Sequence, residues 1–184
     1  MSTYLFAQAM HTGENAMEQA TDRPLPKFRR IVTGHDANGK ATIWLDGDAT
    51  NHKFPSDKIS STLMWSTDRS PTQLYVDEDE GSRILGSSPL PNGSRFTMME
   101  FHPGNGAHMH RTDTVDYVIC IAGEIDMFVD DTQFVTLRAG DVLIQRGTYH
   151  AWANRSDRPC RLAVILLDAL PKREGSVSGL VSAR

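Results

Sequence analysis

At 184 residues and 20.4 kDa the chain is long enough for one well-buried core and too short for two. With 39% hydrophobic and 23% charged residues it is neither a disordered nor a fibrous chain. A net charge of -4 and a pI near 5.9 leave no basic footprint for nucleic acid, and Arg29-Arg30 is too small a patch to supply one.

Residues 1–22 mix Leu5, Phe6, Met10 and Met17 with polar positions, which predicts one or two helical turns in an arm that docks on its own barrel or on a partner subunit. Pro24 and Pro26 end any helix there and lead into a strand, Phe28 to Thr33. Asn38-Gly39 is the strongest short hairpin signal in the chain, with Ala41 to Leu45 returning. Gly47 to Ser60 reads as turn-rich and polar, and Ser61 to Thr67 as another short strand. Asp77-Glu-Asp-Glu-Gly reads as a solvated acidic turn without a role.

From Arg95 onward strands crowd together: 95–101, 107–110, 115–121, 124–129, 134–137, 142–145, 150–153 and 161–167. Turn residues punctuate them at Pro103-Gly104, Ala122-Gly123, Asp130-Asp131, Ala139-Gly140, Arg146-Gly147 and Asp157 to Pro159. Short strands with frequent turns predict an all-β, antiparallel sandwich or barrel. The tail KREGSVSGLVSAR is small and polar. Expected boundaries are an arm at 1–28, a barrel with its N-terminal strands at 29–170, and a tail at 171–184.

Cys120 and Cys160 match neither a zinc pair nor a disulfide framework, which fits a reducing, cytoplasmic setting. No apolar run approaches the ~20 residues that cross a bilayer, and the start of the chain lacks the pattern of a signal peptide. Neither nucleic acid nor membrane is an expected partner.

The chemistry gathers in GNGAHMHRTDTVDYVICIAG, Gly104 to Gly123. In a strand, His108 and His110 would leave one face about 7 Å apart and could converge on a metal ion. Asp116 adds a carboxylate, and His150, in GDVLIQRGTYHAWAN, adds a third imidazole that an antiparallel barrel could bring opposite the pair.

These residues resemble the cupin superfamily, in particular small single-domain cupins of the type-2 kind. The first cupin motif runs glycine, H-x-H, a carboxylate, six residues and a glycine; His108, His110, Asp116 and Gly123 take those places. The second runs glycine, proline, glycine, histidine, asparagine, and Gly140, Gly147, His150 and Asn154 match it. The motifs span Gly104 to Asn154, and the strand pattern extends the likeness over 95–168. Three departures stand out: Asp116 replaces the usual glutamate, it lies one residue further from His110, and Gln145 stands where proline is usual.

The resemblance implies a jelly-roll barrel with an N-terminal extension, holding one divalent transition metal (Fe, Mn, Ni, Co or Zn) at His108, His110, His150 and Asp116. Asp116 is also the candidate catalytic acid or base. Met99, Phe101, Cys120, Gln145 and Trp152 are the candidate pocket residues. Strand alternation puts Cys120 beneath the site, where packing as a small hydrophobe is its plainer role. Arg111, Arg146 and Arg161 are candidates to hold a substrate anion, with the exposed surface as their plain alternative.

The leading functional expectation is a metal-dependent enzyme acting on a small oxygenated organic molecule, by a lyase or decarboxylase step through an enolate or carbanion stabilised by the metal. An Fe(II)-dependent dioxygenase and a non-catalytic small-ligand binder are the alternatives. A homodimer is expected from the family's habit and the N-terminal arm.

Overall fold

A computed structural model describes residues 24–74, 77–130 and 133–170. The expected tail, and the expected arm apart from Pro24 to Phe28, lie outside the described residues. Among the described residues every regular element is a strand, and no helix is long and apolar enough to cross a membrane.

The chain opens with the hairpin β1 (Arg29–His35) and β2 (Ala41–Asp48), paired antiparallel around Gly39 at φ 77°. There follow β3 (His52–Ser56), β4 (Ile59–Thr67), β5 (Ser94–Phe101), β6 (Thr114–Ala122), β7 (Glu124–Val129), β8 (Gln133–Arg138), β9 (Val142–Arg146), β10 (His150–Ala153) and β11 (Cys160–Asp168). A six-stranded sheet has the order β3-β4-β5-β11-β6-β9, and a three-stranded sheet the order β10-β7-β8. Every strand pair is antiparallel.

The main core lies between the two sheets and includes Phe101, Val118, Ile125, Met127, Leu137, Leu162 and Val164. These positions recur every second residue along β5, β6 and β11, because a strand shows alternate side chains to one face. Cys120 and Cys160 belong to this core with their sulfurs 3.9 Å apart, and burial pushes both thiols up, so they pack as protonated small side chains. A smaller core on the outer face of the large sheet joins Phe28, Ala49 and Met64 to Phe96 and Met98. The two faces of β5 are thereby assigned as alternation predicts, with Met99 and Phe101 inward and Met98 outward.

The passage from β6 to β7, which crosses between the sheets, turns at Gly123. Its φ is 75°, and an added Cβ would lie 2.6 Å from the Pro159 carbonyl oxygen, so only glycine fits without displacing backbone.

Three expectations are corrected. Residues 107–110 do not form a strand: the chain turns at Gly104, φ 69°, and only His110 makes a β-bridge, to His150. The stretch read as turn-rich contains β3, an edge strand hidden by its proline and its polar residues, with a register break between Lys53 and Ser56. The acidic loop is no idle turn, since Asp79 takes a two-pronged ion pair from Arg30 at 2.7 and 2.6 Å.

Candidate metal and ligand site

His150 begins β10, is 4% exposed, and exchanges both backbone hydrogen bonds with His110, at 3.0 and 2.8 Å. This pairing sets the two imidazoles side by side with ring centroids 4.4 Å apart. His108 stacks beside His110 at 6.0 Å. The connection carrying His108 and His110 is exposed, and it is pinned from behind by Asn105. The Asn105 side chain donates to the Trp152 carbonyl at 2.8 Å and accepts from the Asn154 N–H at 2.8 Å. Gly104 N–H also donates to the Asn154 carbonyl at 2.8 Å.

Gln145 holds His150 from the far side. Gly147 N–H donates to Gln145 Oε1 at 3.0 Å, which fixes the amide so that its Nε2 lies 2.9 Å from His150 Nδ1 and 2.8 Å from the Thr148 carbonyl. His150 Nδ1 also lies 3.1 Å from that carbonyl. A proton on Nδ1 is donated to the carbonyl and leaves Nε2 with its lone pair; a bare Nδ1 accepts from Gln145 and puts the proton on Nε2. The carbonyl and the amide thus compete to set the tautomer. His110 Nδ1 lies 3.0 Å from the His108 carbonyl, an acceptor, so its Nε2 is likewise left free.

Asp116 sits near the start of β6, 5% exposed, and its Oδ1 has no hydrogen-bond partner among the described residues. Burial pushes its carboxyl above the ordinary aspartate value, against the lowering pull of a Thr114 hydrogen bond and of His110 nearby. Burial likewise lowers His150, with the Thr148 carbonyl opposing and His110 adding to the shift, which favours the neutral imidazole that can ligate.

His108, His110, Asp116 and His150 all line one cavity of about 490 Å³ between the sheets. Its apolar walls include Met99, Phe101, Val118, Trp152, Leu162 and Leu166, with Phe101 and Trp152 rings 6.3 Å apart. Three of the five expected pocket residues, Met99, Phe101 and Trp152, therefore line it. Two do not: Cys120 lies in the core against Cys160, and Gln145 stands behind His150. Among the described residues no three His, Cys, Asp or Glu side chains are close enough to enclose an ion as they stand. Yet the donor set suits one: two cavity-lining imidazoles with Nδ1 beside a carbonyl acceptor, and a buried carboxylate oxygen without a partner among the described residues.

None of the three candidate anion holders lines the cavity, and their plain surface alternative holds. Arg161 alternates with the inward-facing Leu162, so it points outward to Glu100 at 2.9 Å and lies over Phe28. Arg111 pairs with Asp113 at 3.1 Å, and neither it nor Arg146 lines the cavity. Arg95 and Lys53 do. The signal for Arg95 was present, because it shares the period-two face of Met99 and Phe101. Lys53 and Asn105 gave no such signal.

A cupin domain model matches residues 97–166. Phomopsin biosynthesis cluster protein C' of Diaporthe leptostromiformis is 33% identical over 179 residues, covering 89% of this chain and 95% of its own length. The chain belongs to the cupin family. This cupin is also 32% identical over 158 residues to the cupin-domain-containing oxidoreductase srdB of Neurospora crassa, with 82% of this chain and 80% of the relative covered. Among solved structures, a cupin superfamily protein from Desulfitobacterium hafniense superposes loosely, with a TM-score of 0.42 at 14% identity over 63% of this chain and 83% of the other.

Proposed function

We propose that this cupin is a metal-dependent enzyme that moves a proton on a small oxygenated organic molecule, in a lyase or decarboxylase type of step. The observation that carries the reading is Asp116: a buried carboxylate with one oxygen unpartnered, facing the same cavity as three histidines. Burial raises this carboxyl above the ordinary aspartate value, the direction that suits a group asked to hold and return a proton.

His108, His110 and His150 would hold one divalent transition ion, and the ligand set does not choose among Fe, Mn, Ni, Co and Zn. When bound, such an ion supplies Lewis acidity toward a substrate oxygen. Gln145 and Thr148 orient His150, and Asn105 anchors the connection that carries His108 and His110. The apolar walls keep bulk water from the reacting group, and Asp116 takes or returns the proton.

The test is metal content. Elemental analysis of freshly purified wild type is expected to show a bound transition metal, and folded His110→Ala and His150→Ala proteins are expected to have lost it. Undiminished metal in both variants overturns the site.

A second reading is favoured by the name of the Neurospora crassa relative, an oxidoreductase. There the same cavity would host an oxidation, with Asp116 again accepting a proton. Oxygen consumed in step with substrate selects this reading, and substrate loss without oxygen uptake selects the first.

A further inference from the structure

We infer that Arg95 is the anchor for an anionic group of the ligand, so that the cavity takes an apolar-bodied carboxylate with its charged end held away from Asp116. This deepens the proposal above and rests on the cavity being the ligand site.

Arg95 is 6% exposed and projects from β5 into the cavity. Of its five N–H donors, one reaches the Gly86 carbonyl, and it pairs with no carboxylate among the described residues. A guanidinium taken out of water and given one neutral acceptor carries an uncompensated desolvation cost, which burial registers by pulling its pKa down. Arg95 lines the cavity, and the donors left over belong to a planar guanidinium fork of the kind that matches a carboxylate.

The register fixes how a ligand would lie. Leu166 of β11 pairs with Arg95 on one side and with Asp116 on the other, and Asp116 pairs in turn with Gln145. Arg95 and Asp116 therefore occupy one row of the inner face, two strand spacings or roughly 10 Å apart, with Leu166 between them. In the metal-free protein an anion is attracted at the Arg95 end and repelled by an ionised Asp116 at the other, which favours one orientation of a bound carboxylate. Lys53, paired with Ser61 on the edge of the same sheet, adds a second positive charge at the rim. The carbonyls of Leu85 and Gly86, adjacent in the chain, accept from Lys53 and Arg95 respectively, so one loop holds both cations.

The experiment measures binding to metal-free protein by calorimetry, with three acid and amide pairs: trans-cinnamate and cinnamamide, benzoate and benzamide, hexanoate and hexanamide. In wild type at least one carboxylate is expected to bind about tenfold or more tighter than its amide, as for a hydrogen bond to a charged group. In Arg95→Gln, shown folded by its melting curve, that preference is expected to collapse to near unity. Where the glutamine variant does not fold, Arg95→Lys keeps the charge without the fork, and the preference is expected to fall several-fold. No preference in any pair for wild type, or an unchanged preference in the variants, overturns the inference. Because the ion is absent throughout, this outcome is independent of metal content: Arg95 can fail while the histidine site stands, and the reverse.

Discussion

The two faces of the six-stranded sheet treat charge in opposite ways. On the outer face Glu100 accepts from Arg161 at 2.9 Å and pairs with His102 at 2.8 Å. On the inner face Asp116 has an unpartnered oxygen, and Arg95, in the same row, has one carbonyl partner. The sheet is one piece of backbone with alternating side chains, so both faces had the same access to pairing. Charges paired off on the outer face support the fold; charges left open on the inner face cost stability and are available to a ligand.

The largest expected effect comes from Asp116→Asn. It keeps the shape and removes the proton carrier, so turnover should fall by about 10²–10⁴-fold. The metal-free protein should nonetheless gain stability, by about 1 kcal/mol at neutral pH, since a buried charge with an unsatisfied oxygen is gone. The sign follows from linkage. A carboxyl whose folded pKa is raised contributes its stability below the unfolded aspartate value and loses it as pH rises through the folded one. Melting curves from acid to neutral pH should show the variant's advantage growing with pH; a variant less stable than wild type at neutral pH breaks the contrast.

Next in size is Gln145→Leu. With the amide gone, the His150 ring loses the contact that holds it from the far side and is free to rotate off the Thr148 carbonyl. This loss of orientation should outweigh the removal of the competing tautomer, so that metal affinity drops by about 10–100-fold, measured by competition with a chelator. Gln145→Glu, which supplies an acceptor to His150 Nδ1–H, should retain more affinity than leucine. A leucine variant with unchanged affinity would show that Gln145 only fills space.

The smallest effect belongs to the outer face. Burial pushes Glu100 up, but hydrogen bonds from His102 and Arg161 and their charges outweigh it, so its carboxyl is held below the ordinary value. Its stability is present above the unfolded glutamate value and lost as pH falls through the folded one. Glu100→Gln should cost about 1 kcal/mol at neutral pH and less in acid, read from denaturant midpoints. A penalty that does not shrink in acid would mean packing, not charge, carries the role of Glu100.

Much of the site was legible because its signals are local. Period-two alternation placed Met99, Phe101 and Trp152, and glycine turns marked where strands end. The three histidines and Asp116 do meet in one cavity. What escaped depends on partners distant in the chain. Arg161 looked like an anion holder until Glu100, 61 residues away, was seen to occupy it. The His108–His110 segment looked like a strand because its sequence is silent about Asn105 reaching over to β10.

The sequence by itself determined the all-β class, the hairpin at Asn38-Gly39 and the inward face of β5, and it singled out the candidate ligands, since these follow from turn chemistry and from the geometry of one extended chain. Only the tertiary structure decided that His110 pairs with His150, that Gln145 backs His150 and leaves the pocket to others, and that Arg95 and Asp116 share a row across Leu166. Those are consequences of register between strands distant in the chain, as from Arg95 to Leu166, and no local pattern encodes which strand will be the neighbour.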